Sequence, residues 1–224
     1  VTFEVGDNGQ PTFAVARGPL PVVSGTLGLE FAGSGPLRDN LKIVGSRRGR
    51  RDETYAIPVG KASSARDRHN ELVVSLEEKR APHRKLDLAF RAFDDGIAFR
   101  YFIPQQDTLR EFVLTEEHTQ LAFPDNPRAK ALPLASHTTP YEAYYETKPL
   151  ADLRSNQLIG LPLVLEHSKK VWFAVTEANL TDYAGMYLAA AEGKPGVLVS
   201  KLSPLPDRKK DGAKVLGKAP HASP

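Results

Sequence analysis

Short apolar and β-branched runs, separated by turn-forming residues, constrain this chain more than any other feature of its sequence. Val1–Val5, Thr12–Ala16, Leu27–Phe31, Leu72–Leu76, Leu86–Phe90, Ile97–Ile103, Phe112–Thr115, Leu161–Leu165, Val171–Val175 and Gly196–Lys201 all read as strands. Between them stand Asp7-Asn8-Gly9, Arg17-Gly18-Pro19, Asp94-Asp95-Gly96, Asp125-Asn126-Pro127 and Glu192-Gly193-Lys194-Pro195, whose residue types adopt dihedrals that others avoid. The clearest hairpin joins 86–93 to 97–103 through Asp94-Asp95-Gly96, because aspartate and glycine both tolerate positive φ. Turn chemistry accounts for those two aspartates without making them paired catalytic acids. Residues 109–120 place Leu109, Phe112, Val113 and Glu116 at helical spacing, yet Val113, Thr115 and Thr119 favour a strand pair. Proline near 19–21, 124–140 and 204–206 argues against helix there. With no internal repeat, the sequence predicts an all-β fold, a large antiparallel β-sandwich over residues 1–203. The segment 204–224, rich in Pro, Lys, Gly and Asp, reads as a linker.

The bulk numbers exclude several classes. A hydrophobic content of 41% is too high for a disordered chain. The 30 basic residues are nearly balanced by 27 acidic ones, so a net charge of +3 provides no broad field for nucleic acid. There is no cysteine, which removes disulfides and thiolate metal sites. No apolar stretch approaches the ~20 residues that span a bilayer, so no membrane partner is expected. No signal peptide precedes Val1, and the chain opens in the middle of a strand-like pattern. An upstream segment, cleaved or absent, is therefore expected.

Familiar catalytic patterns are missing. The histidines, His69, His83, His118, His137, His167 and His221, have no helical zinc spacing, and neither a nucleophile elbow nor a phosphate-binding glycine loop occurs. The run Arg47-Arg48-Gly49-Arg50-Arg51 lacks the interleaved aromatics of a single-strand nucleic-acid platform and reads as a solvated loop, with carbohydrate or partner contact as the alternative. Tyr141, Glu142, Tyr144 and Tyr145 combine flat rings with a carboxylate, as sugar-binding surfaces do; an exposed strand edge pairing Tyr with Glu is the other reading. Finally, the apolar run Val171–Val175 leads into Thr176-Glu177-Ala178, placing a carboxylate where a buried strand ends and can aim it.

Three blocks carry a family resemblance. Residues 176–188, 90–101 and 18–29, the last reading Gly-Pro-Leu-Pro-Val-Val-Ser-Gly-Thr-Leu-Gly-Leu, resemble the N-terminal β-sandwich domain of glycoside hydrolase family 97, the α-glucosidase and α-galactosidase family. The resemblance extends along nearly the whole chain. It implies a β-super-sandwich akin to galactose mutarotase, packed beside a C-terminal (β/α)₈ barrel that carries the catalytic acids. It also implies an oligo- or disaccharide substrate and a periplasmic or secreted location. A calcium ion near those acids takes one glutamate from this domain, and the Thr-Glu-Ala motif puts that role on Glu177, with Asn179, Asp182 and Tyr183 as its supporting neighbours. Since a barrel needs ~250 further residues, this chain is expected to be inactive alone. Two other functions stay open: a free-standing sugar-binding module using Tyr141, Tyr144 and Tyr145, and a mutarotase-like epimerase built on a histidine and glutamate pair.

Overall fold

A computed structural model describes residues 1–167, 171–181 and 183–204. Apart from Pro204, the stretch read as a linker lies outside the described residues, as do His221 and Asp182. No α-helix occurs among the described residues. Seventeen strands do: β1 (Thr2–Val5), β2 (Pro11–Arg17), β3 (Leu20–Thr26), β4 (Leu29–Phe31), β5 (Gly35–Leu37), β6 (Leu41–Ala56), β7 (Ser64–Glu78), β8 (Lys85–Ala92), β9 (Ile97–Phe102), β10 (Leu114–Glu117), β11 (Gln120–Ala122), β12 (Arg128–Leu134), β13 (Glu146–Pro149), β14 (Leu158–Glu166), β15 (Trp172–Val175), β16 (Met186–Ala190) and β17 (Val197–Leu202). All ladders are antiparallel apart from one isolated bridge, so the predicted all-β class is the observed one.

The chain divides into two compact units. Asn40–Arg110 holds one four-stranded sheet, β6-β7-β8-β9. Its buried residues include Leu41, Val74, Leu76, Leu86, Leu88 and Phe90. Where β7 turns into β8, Arg84 and Glu78 are 4% and 6% exposed, and the guanidinium bonds the carboxylate through Nε at 2.9 Å and through its terminal nitrogen at 2.7 Å. The Arg84 amide adds a third bond at 2.9 Å. Here the fold places a charge pair where the sequence shows only scattered charges.

In this sheet the arginine run takes a different form from the expected solvated loop. Residues 47–51 lie inside β6, paired residue by residue from Arg47↔Val73 to Arg51↔His69. The ladder of β7 with β8 stops at Asn70↔Ala92, so 51–56 and 64–69 extend as a two-stranded arm. Apart from His69, buried against the Phe93 ring at its base, the arm's residues are exposed or half-buried and carry charge on both sides. Arg66 grips Asp52 at 2.7 and 2.8 Å, and Arg51 bonds Glu53 at 2.6 Å. Exposed pairs of this kind contribute only about 0–1 kcal/mol each.

The other unit comprises Thr2–Asp39 and the described residues from Glu111 onward. It contains a small sheet, β10-β4-β5, and a ten-stranded sheet ordered β1-β2-β3-β11-β17-β16-β14-β12-β13, with β15 also on β14. Both sheets bury alternate side chains, among them Leu29, Phe31, Leu121, Ile159, Leu163, Leu165, Leu188 and Leu198. Full burial of a side chain of this size contributes about 1.5–3 kcal/mol. Residues 109–120 resolve into a short 3-10 turn at Asp107–Leu109 and then the strands β10 and β11, as the β-branched residues indicated.

Candidate functional site

The large sheet forks at β14. Along one edge β14 pairs with β12 throughout; its other edge is shared, by β16 at Ile159↔Leu188 and by β15 from Leu163↔Val175 to Glu166↔Trp172. Residues 176–185 leave the sheet at this fork and return to it. Glu177 sits two residues beyond β15, half-buried, and its Oε1 accepts the Met186 backbone N–H at 2.8 Å across the neck of the loop. Its Oε2 accepts no hydrogen bond from the described residues. Burial raises the pKa of this carboxyl, against the pull of the Met186 amide. One expectation needs correcting: β15 is not a buried strand, since Trp172 and Ala174 are exposed and Phe173 and Val175 only half-buried. The hydrogen bond to Met186, rather than a packed strand, aims Glu177.

A second carboxyl, invisible as a motif, lies beside it. Glu117 closes β10 at 9% exposure. Thr119 donates to its Oε1 at 2.6 Å and the Tyr183 hydroxyl to its Oε2 at 2.8 Å, while Ser200 on β17 donates to its backbone carbonyl. Burial raises its pKa most, the two hydroxyl bonds oppose that, and the charge of Glu177 raises it further. A carboxyl with a raised folded pKa supports the fold fully below the unfolded value and loses that support as pH rises through the folded one. Glu117→Gln should therefore gain stability relative to the natural protein as pH climbs above about 4.5. Thermal unfolding of both from pH 4 to 8 checks this; parallel curves would contradict it.

Aromatic residues complete the surroundings. Tyr141 lies against Gly160, where a Cβ would fall 2.9 Å from the ring, and its centroid is 6.3 Å from that of Tyr187 on β16. Burial, a hydrogen bond with Tyr187 and the Glu177 charge push its phenol up to about 12, against the Leu161 backbone. His137 meets Tyr187 edge-on at 5.1 Å, its Nε2 buried and without a hydrogen-bond partner among the described residues. The tyrosine patch read from the sequence thus splits. All three rings are exposed, Tyr141 at 51%, Tyr144 at 93% and Tyr145 at 53%, as is Glu142, but Tyr141 also touches the fork through Gly160 and Tyr187. They lie in a turn and the irregular stretch after it, ahead of β13, not on a strand edge. Asn179 is exposed with φ of 53°, and the Tyr183 hydroxyl donates to Glu117. Asp182 lies outside the described residues. Glu117, Thr119, Tyr187 and His137 were missed because they come from three separate segments with no shared spacing.

Elsewhere His118 Nε2 lies 2.8 Å from Glu30, with Arg38 beside the ring. His167, fully buried, is held 3.1 Å from Asp125. No group of three or more His, Asp or Glu able to hold a metal occurs among the described residues.

The sequence model described as "Glycosyl-hydrolase 97 N-terminal" matches residues 1–224. The chain belongs to this family. As a glycoside hydrolase 97 N-terminal domain it is 28% identical over 221 residues to a retaining alpha-galactosidase of Bacteroides thetaiotaomicron, covering 95% of this chain and 30% of that protein. A glycoside hydrolase family 97 enzyme from Pseudoalteromonas sp., solved in complex with acarbose, superposes with a TM-score of 0.81 at 27% identity, over 90% of this chain and 30% of its own. A beta-arabinopyranosidase shares the fold, with a TM-score of 0.82 at 23% identity over 96% of this chain and 35% of its own. The chain thus spans about a third of the length of the relatives it matches.

Proposed function

We propose that this domain is the non-catalytic N-terminal part of a calcium-dependent α-glycoside hydrolase acting on α-glucosides or α-galactosides, and that it walls the active site and donates Glu177 as a calcium ligand. In this reading residues 1–203 form the domain, 204–224 lead to a C-terminal catalytic barrel, and the protein works in the periplasm or outside the cell. The family match and the names of its relatives support it. The observation that carries the ligand role is the half-buried Glu177 carboxylate, fixed by one oxygen and accepting no hydrogen bond from the described residues at the other.

That geometry fits calcium as one ligand of several. Calcium takes six to eight oxygens, so Glu177 must be joined by several further oxygen donors, and no cluster of three acidic or histidine side chains among the described residues supplies them. All the polar side-chain atoms that Glu117, Tyr141, Tyr183 and Tyr187 bring to the fork are oxygen, which suits a hard cation. When bound, calcium supplies positive charge near a reacting glycosidic bond. The chain's own residues hold the carboxylate in place: the Met186 amide fixes its rotamer, and partial burial at the fork thins the water around it.

Glu177→Ala in the intact protein should abolish the calcium-dependent rise in thermal stability and cut hydrolysis of nitrophenyl α-glycosides by at least about 100-fold. A variant with undiminished calcium response overturns the assignment. A second reading, sugar capture by this domain alone, rests on the exposed rings of Tyr144 and Tyr145. Calorimetric titration with malto-oligosaccharides decides it. The epimerase reading gains no such support, because an acid and a base acting across a sugar ring must flank it, and His118 and Glu30 are hydrogen-bonded to each other.

A further inference from the structure

We propose that Glu117 is a positioning residue for Glu177, acting through Tyr183 as the post to which the loop 176–185 is tied. This rests on Glu177 being a cation ligand. The loop joins β15 to β16. It is exposed at Thr176 and from Ala178 to Thr181, and its departure point, β15, is paired along one side only. Two side-chain bonds close it. Glu177 accepts from Met186 at the neck, and Tyr183, further along the loop, reaches out to Glu117.

The post is rigid for reasons visible in its partners. Ser200 on β17 donates to the Glu117 carbonyl, and the Ser200 amide donates to the Thr119 carbonyl at 3.0 Å, so the segment 117–119 is fastened to the central sheet. Thr119 then holds one carboxyl oxygen, leaving the other to receive the Tyr183 hydroxyl. Each bond removes one freedom between the sheet and the loop. An apolar residue at 117 would pack equally well and leave Tyr183 without this acceptor, which gives the buried acid a purpose that packing does not. Its chemistry is accepting, with no proton transfer and no contact with substrate.

The test uses the intact protein and terbium(III), a calcium surrogate whose luminescence is sensitised by nearby tyrosines, with calcium as competitor. Glu117→Ala and Tyr183→Phe are expected to weaken terbium and calcium binding about 10–100-fold, the range seen when groups that orient metal ligands are removed. Glu117→Gln keeps one acceptor oxygen and presents its NH2 to the other hydroxyl, which can rotate to accept, so it should bind as the natural protein does. Amide exchange at Met186 should accelerate in the two weakened variants and not in Glu117→Gln. Tyr183→Phe deletes a single oxygen, so it answers the question even if Glu117→Ala folds poorly. A lower unfolding midpoint without cation and an unchanged affinity in both variants would reduce Glu117 to a structural part and overturn the inference. If Glu177→Ala itself leaves binding intact, the ligand assignment fails first and this one with it.

Discussion

Arg84→Met is expected to destabilise the protein by about 3–5 kcal/mol, because it strands the Glu78 carboxylate in the interior without its partner. Three bonds from Arg84 converge on this carboxyl, and both residues are almost fully enclosed. Burial alone would raise the pKa of Glu78; the guanidinium and amide bonds together outweigh it and hold the group below the usual carboxylate range. A carboxyl depressed in the folded state stabilises above its unfolded pKa and ceases to do so as pH falls through the folded value. The natural protein should thus lose stability below about pH 4.5, and Arg84→Met should lose none of that particular contribution. Urea unfolding at pH 7 and pH 3 reads both effects. The double variant Glu78→Leu with Arg84→Met should recover most of the loss, since replacing a buried pair by apolar groups is often neutral or favourable. A single variant within about 1 kcal/mol of the natural protein would show that water reaches the pair.

Gly25→Ala should cost about 3 kcal/mol, at the upper end of what overpacking does. Gly25 lies in β3, opposite Phe13 of β2 and Leu121 of β11. A Cβ there would stand 1.9 Å from the Gln120 carbonyl oxygen and 2.8 Å from the Phe13 ring. A carbonyl locked in a ladder cannot rotate aside as a flexible side chain can, so two strands of the ten-stranded sheet would have to part. Gly49→Ala is the internal comparison: its Cβ would meet nothing closer than 3.7 Å, at the Glu71 Cβ. Since alanine orders a strand at lower entropic cost than glycine, that variant should be stabilised by about 0.5–1 kcal/mol. Equal unfolding midpoints for the two variants would contradict the close approach at Gly25.

Strands with one buried face were legible because their side chains alternate, and Leu86–Phe90 and Leu161–Leu165 emerged inside β8 and β14. β6 was not, and its arginines suggested a loop, because a ribbon solvated on both faces has no apolar period to detect. The same physics separates the two carboxyls of the fork. Glu177 could be singled out because it follows an apolar run and belongs to a recognisable block. Glu117 could not, because its significance comes from Thr119, Tyr183 and Ser200, which only the folded sheet brings to it. The tyrosine patch shows the converse: Tyr141, Tyr144 and Tyr145 are neighbours in sequence, yet only Tyr141 meets the fork, since a turn at 141–142 and an irregular stretch after it give the three rings no common face.

The arm built on β6 has a bearing on how copies of this protein treat one another. β6 is the outermost strand of its sheet, and an edge of that length offers a row of amides and carbonyls to any passing chain. Two such edges meeting antiparallel about Gly49 would set Arg48 against Arg50 and Arg47 against Arg51 on both sides of the axis. The guanidinium row makes that encounter repulsive, so the strand keeps its length without becoming a seed for fibres.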